Sequence, residues 1–146
     1  MGAGHATKAV NNALNATHLL AGAEGLIALQ RFGIAPERAL AAINVASGRS
    51  LQTEQRLPQT VLSRSFDYGF KLELMHKDLR IADGLMANAS LPEGGGSANY
   101  FSRTSALYRA ALGALGEGAD YTEAVKLLER SAGTELHTTS PAAPGP

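Results

Sequence analysis

Apolar residues recur at offsets of three and four along most of the chain, and β-branched residues are sparse. This spacing is typical of amphipathic helices. Alanine, leucine, glutamate, arginine and glutamine dominate the periodic segments and favour helix, while glycine and proline interrupt them at intervals that suit helices. We therefore predict an all-α fold in which a long N-terminal helix packs with several shorter helices.

Capping residues and helix breakers divide this pattern into elements. Asparagine, serine and aspartate are good N-caps, an acidic residue three positions after the cap strengthens the start, and proline ends a helix. The predicted helices are 6–32, 36–46, a short helix capped by Ser50 and ended by Pro58, 70–89, a helix capped by Ser97 or Asn99 and ending at Leu115, and 120–130.

The predicted helices form one domain. A chain of 146 residues with 45% hydrophobic residues can bury a single core. We expect this all-α domain to cover residues 1–131. Residues 132–146 are mostly threonine, serine, proline, alanine and glycine without periodicity, so we expect a disordered tail there.

Composition excludes several classes of function. Thirteen basic residues balance 13 acidic ones, so no net charge draws the chain to nucleic acid or to an anionic membrane. Cysteine is absent, which excludes disulfides and thiolate chemistry and favours a cytoplasmic protein. No two histidines are three or four residues apart, so we expect no metal site.

The first predicted helix carries a polar stripe. At 100° per residue the stripe covers an arc of roughly 120°; its members are Lys8, Asn11, Asn12, Asn15, His18 and Gly22. One interpretation is a face in contact with solvent. However, asparagine disfavours helix because its side chain competes for backbone hydrogen bonds, so three asparagines in five positions favour a face that binds something.

Two pairs of polar residues are candidates for chemistry. Lys8 and Asn12 are one helical turn apart, so an ammonium and an amide can contact the same small polar ligand, and a desolvated lysine can transfer a proton. Lys77 and Asp78 lie in the middle of a later predicted helix, two turns after Phe70. By pattern alone, Lys77 and Asp78 are an ordinary exposed pair.

Taken together, these motifs resemble the β-hydroxyacid dehydrogenases, a family that includes 3-hydroxyisobutyrate dehydrogenase and, more distantly, 6-phosphogluconate dehydrogenase. The resemblance extends from Gly2 to about Arg130 and rests on several motifs in order. These motifs are Gly2-x-Gly4-x-x-x-Lys8-x-x-Asn11-Asn12, Ala23-Glu24, Phe32-Gly33, Phe66 to Phe70, and Lys77-Asp78-Leu79.

The resemblance implies a particular domain and activity. The chain would be the C-terminal all-α domain for substrate binding and dimerisation in an NAD(P)-dependent oxidoreductase that acts on a small β-hydroxyacid or its semialdehyde. NAD or NADP would bind mainly to a Rossmann domain, and no GxGxxG motif follows a strand in these 146 residues. Because the resemblance implies a dimerisation domain, we expect a homodimer. Because the Rossmann domain would carry the cofactor, we expect this chain alone to be inactive.

The resemblance also implies roles for single residues. Lys8 matches the catalytic lysine, which transfers a proton opposite the hydride. Asn12 matches an asparagine that orients the substrate, and Asn11 matches a second polar residue on the substrate side. Lys77 matches a lysine that contacts the cofactor. Phe70 and Asp78 match an aromatic and an acidic residue that support the site.

Two other functions stay open at this stage. The chain can be a non-catalytic helical module for self-association, for which a long apolar helix is suited. It can also be half of an imine reductase with the same architecture. Those enzymes commonly carry aspartate or tyrosine at the position of Lys8, so Lys8 argues against the second alternative.

Overall fold

The computed structural model of the chain describes residues 2–89 and 99–139. The helices are α1 (Ala3–Arg31), α2 (Pro36–Asn44), α3 (Gln52–Val61), α4 (Leu72–Asn88), α5 (Tyr100–Leu115) and α6 (Val125–Ala132), and a 3₁₀ turn, Tyr121–Ala124, precedes α6. The predicted all-α fold with a long first helix is confirmed. Within the described ranges, we find no helix that combines the length and the apolar character needed to cross a membrane.

Helix α1 is the centre of the fold and contacts each of the other helices. Alanine fills much of its buried side, so neighbouring helices approach closely; the buried residues are Ala9, Ala13, Ala16, Leu19, Leu20, Ala23, Leu26 and Ile27. At Gly22 the approach is closest, because a Cβ there would lie 2.7 Å from Leu57 Cδ1 on α3. A side chain at Gly22 would therefore require the buried Leu57 side chain to shift.

Helix α3 differs from its prediction, because Pro58 lies inside the helix instead of ending it. The helix has π geometry, with hydrogen bonds between residues five apart, such as Leu62 N–H to the Leu57 carbonyl at 2.8 Å. Proline has no N–H, so in this register Pro58 leaves the Thr53 carbonyl free. Asn44 Nδ2 donates to that carbonyl at 3.0 Å and replaces the missing bond.

The predicted caps of the later helices are confirmed where the structure describes them. Asn99 Oδ1 accepts from Ser102 N–H at 2.9 Å at the start of α5, whereas Ser97, the alternative cap, lies outside the described residues. Asp120 and Glu123 form the predicted capping box. The last helix continues to Ala132, two residues further than predicted.

The expectation of a disordered tail from residue 132 is wrong for residues 132–139. Leu136 is completely buried, and its N–H donates to Glu129 Oε1 at 2.8 Å. Thr138 N–H donates to the Leu62 carbonyl at 3.2 Å. A single leucine at the end of a polar stretch gives no periodic signal, although its burial fixes the segment on the core. Residues 140–146 lie outside the described part of the chain.

Candidate active site

Three of the residues singled out from the sequence meet at one carboxylate. Asp78 lies on α4 where that helix packs against the first turns of α1. Asn12 Nδ2 donates to Asp78 Oδ2 at 2.6 Å, and Lys8 Nζ lies 3.8 Å from the same oxygen. Because Lys8 and Asn12 are one turn apart on α1, both side chains reach across to α4.

The two members of the Lys8–Asp78 ion pair differ in exposure. The Lys8 side chain is 67% exposed, whereas the Asp78 side chain is 13% exposed. An ion pair with one partner in water is weak, so the Lys8 ammonium keeps most of its capacity for other contacts. Asn11 is exposed beside them, and its Nδ2 lies 3.4 Å from Asn12 Oδ1, which is a long hydrogen bond. Lys8 and Asn11 therefore form an open polar surface over a partly buried carboxylate.

Lys77 is also exposed, one residue before Asp78 on α4. Successive residues of an α-helix point about 100° apart, so Lys77 faces further from α1 than Asp78 does. Within residues 2–89 and 99–139, Lys77 forms no hydrogen bond or ion pair. Its ammonium adds a second accessible positive charge near Asp78.

Phe70 is not on the fourth helix, which corrects its expected location. It precedes α4 in a segment whose backbone is bound to the capping box: Gly69 N–H and Phe70 N–H both donate to Asp120 Oδ2, at 2.8 and 3.2 Å. The Phe70 ring is half-buried and meets the Tyr121 ring edge-on at 6.0 Å. The Asp120 carboxylate thus fixes Phe70 as well as starting the last helical segment.

The next asparagine of the stripe has a structural role that the sequence did not predict. Asn15 Oδ1 accepts a hydrogen bond from Gln52 Nε2 on α3. Gln52 is 1% exposed, and its Oε1 accepts from the Tyr121 hydroxyl at 3.4 Å. Burial raises the pKa of Tyr121 to about 12, so this hydroxyl stays protonated at neutral pH. Asn15 therefore joins α1 to a buried polar network.

Sequence patterns missed Gln52 because of the register of α3. Gln52 and Leu57 are both buried, yet residues five apart do not share a face of an ordinary α-helix. In a π-helix, where hydrogen bonds join residues five apart, two such side chains lie on nearly the same face. The available signal was Pro58, which cannot continue an α-helix without loss of a bond.

Comparisons with known proteins agree with this architecture. A family model described as the NAD-binding domain of NADP-dependent 3-hydroxyisobutyrate dehydrogenase matches residues 2–128. A 2-(hydroxymethyl)glutarate dehydrogenase from Eubacterium barkeri is 38% identical over 93 residues, which are 62% of this chain and 31% of that protein.

Two solved structures share the fold. The 3-hydroxyisobutyrate dehydrogenase of Mycobacterium tuberculosis, solved with L-serine, has a TM-score of 0.72 and 22% identity over 84% of this chain and 42% of its own. The 3-hydroxyisobutyrate dehydrogenase of Salmonella typhimurium has a TM-score of 0.65 and 20% identity over 83% of this chain and 40% of its own.

The length of the match to the family model establishes the family to which the chain belongs. Because the family model covers residues 2–128, the chain belongs to this family of 3-hydroxyisobutyrate dehydrogenase domains, within the β-hydroxyacid dehydrogenases. The chain spans about a third of the enzyme from Eubacterium barkeri and about two fifths of each solved structure.

Proposed function

We propose that this chain is the C-terminal catalytic and dimerisation domain of a cytoplasmic NAD(P)-dependent oxidoreductase that acts on a small β-hydroxyacid or its semialdehyde. The observation that carries the proposal is the convergence of Lys8 and Asn12 on the Asp78 carboxylate at an accessible face. Family membership supports an oxidoreductase with a nicotinamide cofactor.

Lys8 is the proton-transferring residue in this proposal. Asp78 lies 3.8 Å from its ammonium and limits the directions that this flexible side chain takes. Lys8 donates its proton to the carbonyl oxygen of the substrate during reduction and receives a proton from the alcohol during oxidation. Asn12 donates a hydrogen bond from its amide group to Asp78, and this bond fixes the position of the Asn12 side chain. Asn12 and Asn11 then orient the substrate by hydrogen bonds.

The residues around Asp78 fit a nicotinamide cofactor that another domain carries. Lys77 has an exposed ammonium without a protein partner in the described ranges, and an ammonium contacts the amide oxygen or the phosphates of such a cofactor well. Phe70 supplies a half-buried aromatic edge nearby in sequence. The cofactor would supply the hydride. A chain without the Rossmann domain would therefore have no turnover.

A homodimer is part of the same proposal. Three large apolar side chains are strongly exposed: Phe32 is 83% exposed, Val45 is 88% exposed and Tyr100 is 81% exposed. Burial of such residues between two copies stabilises a dimer. Analytical ultracentrifugation measures this directly, and we expect a dimer at micromolar concentration. A helical self-association module without catalysis would give the same dimer, so turnover is what separates the two functions.

The decisive experiment replaces Lys8 in the enzyme that contains both domains. Turnover with NADH or NADPH and small β-keto acids or semialdehydes is expected to fall about 100- to 10,000-fold in Lys8→Ala, because general acid–base catalysis contributes about that much. The melting temperature should not change, because the Lys8 side chain is 67% exposed.

Lys71→Ala is the matched control. Lys71 is 61% exposed and pairs with Glu73 at 3.6 Å, much as Lys8 pairs with Asp78, so it should keep normal turnover. Normal turnover in Lys8→Ala would refute the catalytic role. Absence of any nicotinamide-dependent turnover in the unmodified two-domain protein would favour the self-association module.

A further inference from the structure

A second polar groove lies between α4 and α5, away from the Lys8 face. Its cavity has a volume of about 590 Å³. Its polar lining comes from one face of α4 and one face of α5: His76, Arg80, Asp83, Ser102, Ser105 and Arg109. At 100° per residue, His76, Arg80 and Asp83 lie on the flank of α4 opposite to Asp78.

The polar groups of this groove lack protein partners. Within the described ranges, Arg80 and Arg109 form no hydrogen bond or ion pair. His76 Nδ1 and Asp83 Oδ1 are buried and have no hydrogen-bond partner. Buried polar atoms in folded proteins are nearly always hydrogen-bonded, so two such atoms in residues that line one groove call for a partner, either water or a bound ligand.

The charges of the groove favour an anion. Two guanidinium groups oppose one carboxylate, and the hydroxyl of Ser105, a residue only 6% exposed, adds a donor. Burial lowers the pKa of His76; Arg80 and Arg109 lower it further, and Asp83 opposes them. The imidazole is therefore neutral at pH 7, and the net charge of the lining is positive. Arginine pairs bind phosphate through parallel hydrogen bonds.

Asp83 restricts which anion fits. A carboxylate accepts hydrogen bonds and repels a fully ionised oxyanion, so the ligand must bring a donor to the Asp83 carboxylate. Hydrogen phosphate has its own O–H, and a sugar-like phosphate ester has alcohol groups, whereas sulfate has neither. The cavity volume of about 590 Å³ also lies within the range of small-molecule sites.

We propose that the groove between α4 and α5 binds a phosphate group that carries or adjoins a hydroxyl donor, as in a small hydroxylated phosphate monoester. Arg80 and Arg109 bind the phosphate oxygens from the two sides of the groove. The hydroxyls of Ser102 and Ser105 donate to the same group, and Asp83 accepts from the hydroxyl of the ligand. The site is separate from the Lys8 face and does not depend on the proposed reaction.

The test is an amide NMR titration of this chain at pH 7.5 and constant ionic strength with glycerol 3-phosphate, inorganic phosphate and sulfate. We expect saturable shifts at Asp83, Ser102 and Ser105, with glycerol 3-phosphate at least about tenfold tighter than sulfate. Tighter binding of the ester than of inorganic phosphate assigns an ester as the ligand, and equal binding assigns free phosphate. Both results support the site.

Variants separate the site from general attraction of anions. Arg80→Gln with Arg109→Gln should weaken phosphate binding at least about tenfold, while Arg103→Gln, an exposed arginine of α5 outside the groove, should change it less than about twofold. Asp83→Asn should remove the preference over sulfate. Sulfate binding as tight as phosphate in the unmodified chain, equal losses in Arg103→Gln, or no saturable shift would each overturn the proposal.

Discussion

Two neighbouring parts of the polar stripe on α1 use the same residue types for different purposes. At the amino end, Lys8 and Asn11 stay exposed, and Asn12 is bound to a carboxylate on α4. One turn further along, Asn15 is bound to Gln52, which is 1% exposed. The amino end leaves polar groups accessible to a ligand, whereas Asn15, in the middle of the stripe, joins two helices.

The difference arises from what each side chain meets across the helix interface. Asn15 lies where α3 packs against α1, and α3 contributes a buried amide that needs a partner. A buried amide without a hydrogen bond lowers the stability of the fold more than an unpaired amide in water does. The hydrogen bond between Asn15 and Gln52 is therefore maintained. Lys8 lies 3.8 Å from Asp78 on α4, and its side chain stays 67% exposed to water. A polar stripe therefore predicts a functional surface only where no neighbouring helix covers it.

The largest expected effect on stability comes from disruption of the hydrogen bonds that join Asn15, Gln52 and Tyr121. Gln52→Ala leaves Asn15 Oδ1 without its donor and the Tyr121 hydroxyl without its acceptor. We expect the free energy of unfolding to fall by about 2–4 kcal/mol. Urea unfolding measures it, with the exposed Gln55→Ala on the same helix as control. A loss in Gln52→Ala no larger than in the control would show that the network does not stabilise α3.

Alkaline pH should weaken the same network. The pKa of Tyr121 is about 12 in the folded chain and about 10 in an unfolded one. Above pH 10 the unfolded state loses this proton first, so stability is complete below pH 10 and falls as pH rises towards 12. The shift corresponds to roughly 2–3 kcal/mol. Unfolding curves at pH 9 and 11.5 test this, and Tyr121→Phe should show a smaller decrease than the unmodified chain.

Removal of the charge at Asp78 should have a smaller effect on stability. Asp78→Asn keeps an oxygen acceptor for Asn12 but removes the negative charge from the 2.6 Å hydrogen bond and from the 3.8 Å contact with Lys8. We expect a loss of about 1 kcal/mol in thermal unfolding, since hydrogen bonds to charged groups exceed neutral ones by about that much. The exposed Asp67→Asn is the control. Equal stability of both variants would mean that Asp78 does not hold Asn12 in solution.

The smallest expected effect is at Asn11. Its side chain is exposed, and among the described residues its one hydrogen bond is the 3.4 Å bond to Asn12. Asn11→Ala should therefore change the unfolding free energy by less than about 0.5 kcal/mol. If Asn11 binds substrate, KM in the two-domain enzyme should rise about threefold to tenfold with a nearly constant kcat. An unchanged KM would remove Asn11 from the site.

Local signals predicted most of the fold. Helix periodicity and caps such as Asn99 and Asp120 act within one turn, so the sequence displays them directly. The π geometry of α3, the burial of Leu136 and the contact of Asn15 with Gln52 depend on residues distant in the chain. Periodicity contains no information about such partners.

For the candidate site too, the sequence predicted the residues but not their arrangement in space. Lys8, Asn12 and Asp78 were singled out through motifs, and the structure brings them together. The spacing of Lys8 and Asn12 by one turn indicated a shared target, but not that the target is a carboxylate on α4. The groove around Arg80 and Arg109 gave no sequence signal, because two arginines on different helices form a site only after those helices pack.

The most direct test of this account compares Lys8→Ala with Asn15→Ala in the proposed two-domain enzyme, with kcat and the unfolding free energy measured on each. We predict that Lys8→Ala loses at least about 100-fold in kcat with unchanged stability. Asn15→Ala should lose about 1–3 kcal/mol of stability and keep kcat within about threefold. Equal losses of kcat in both variants, at a temperature where both are folded, would contradict the assignment of a functional role to Lys8 and a structural role to Asn15.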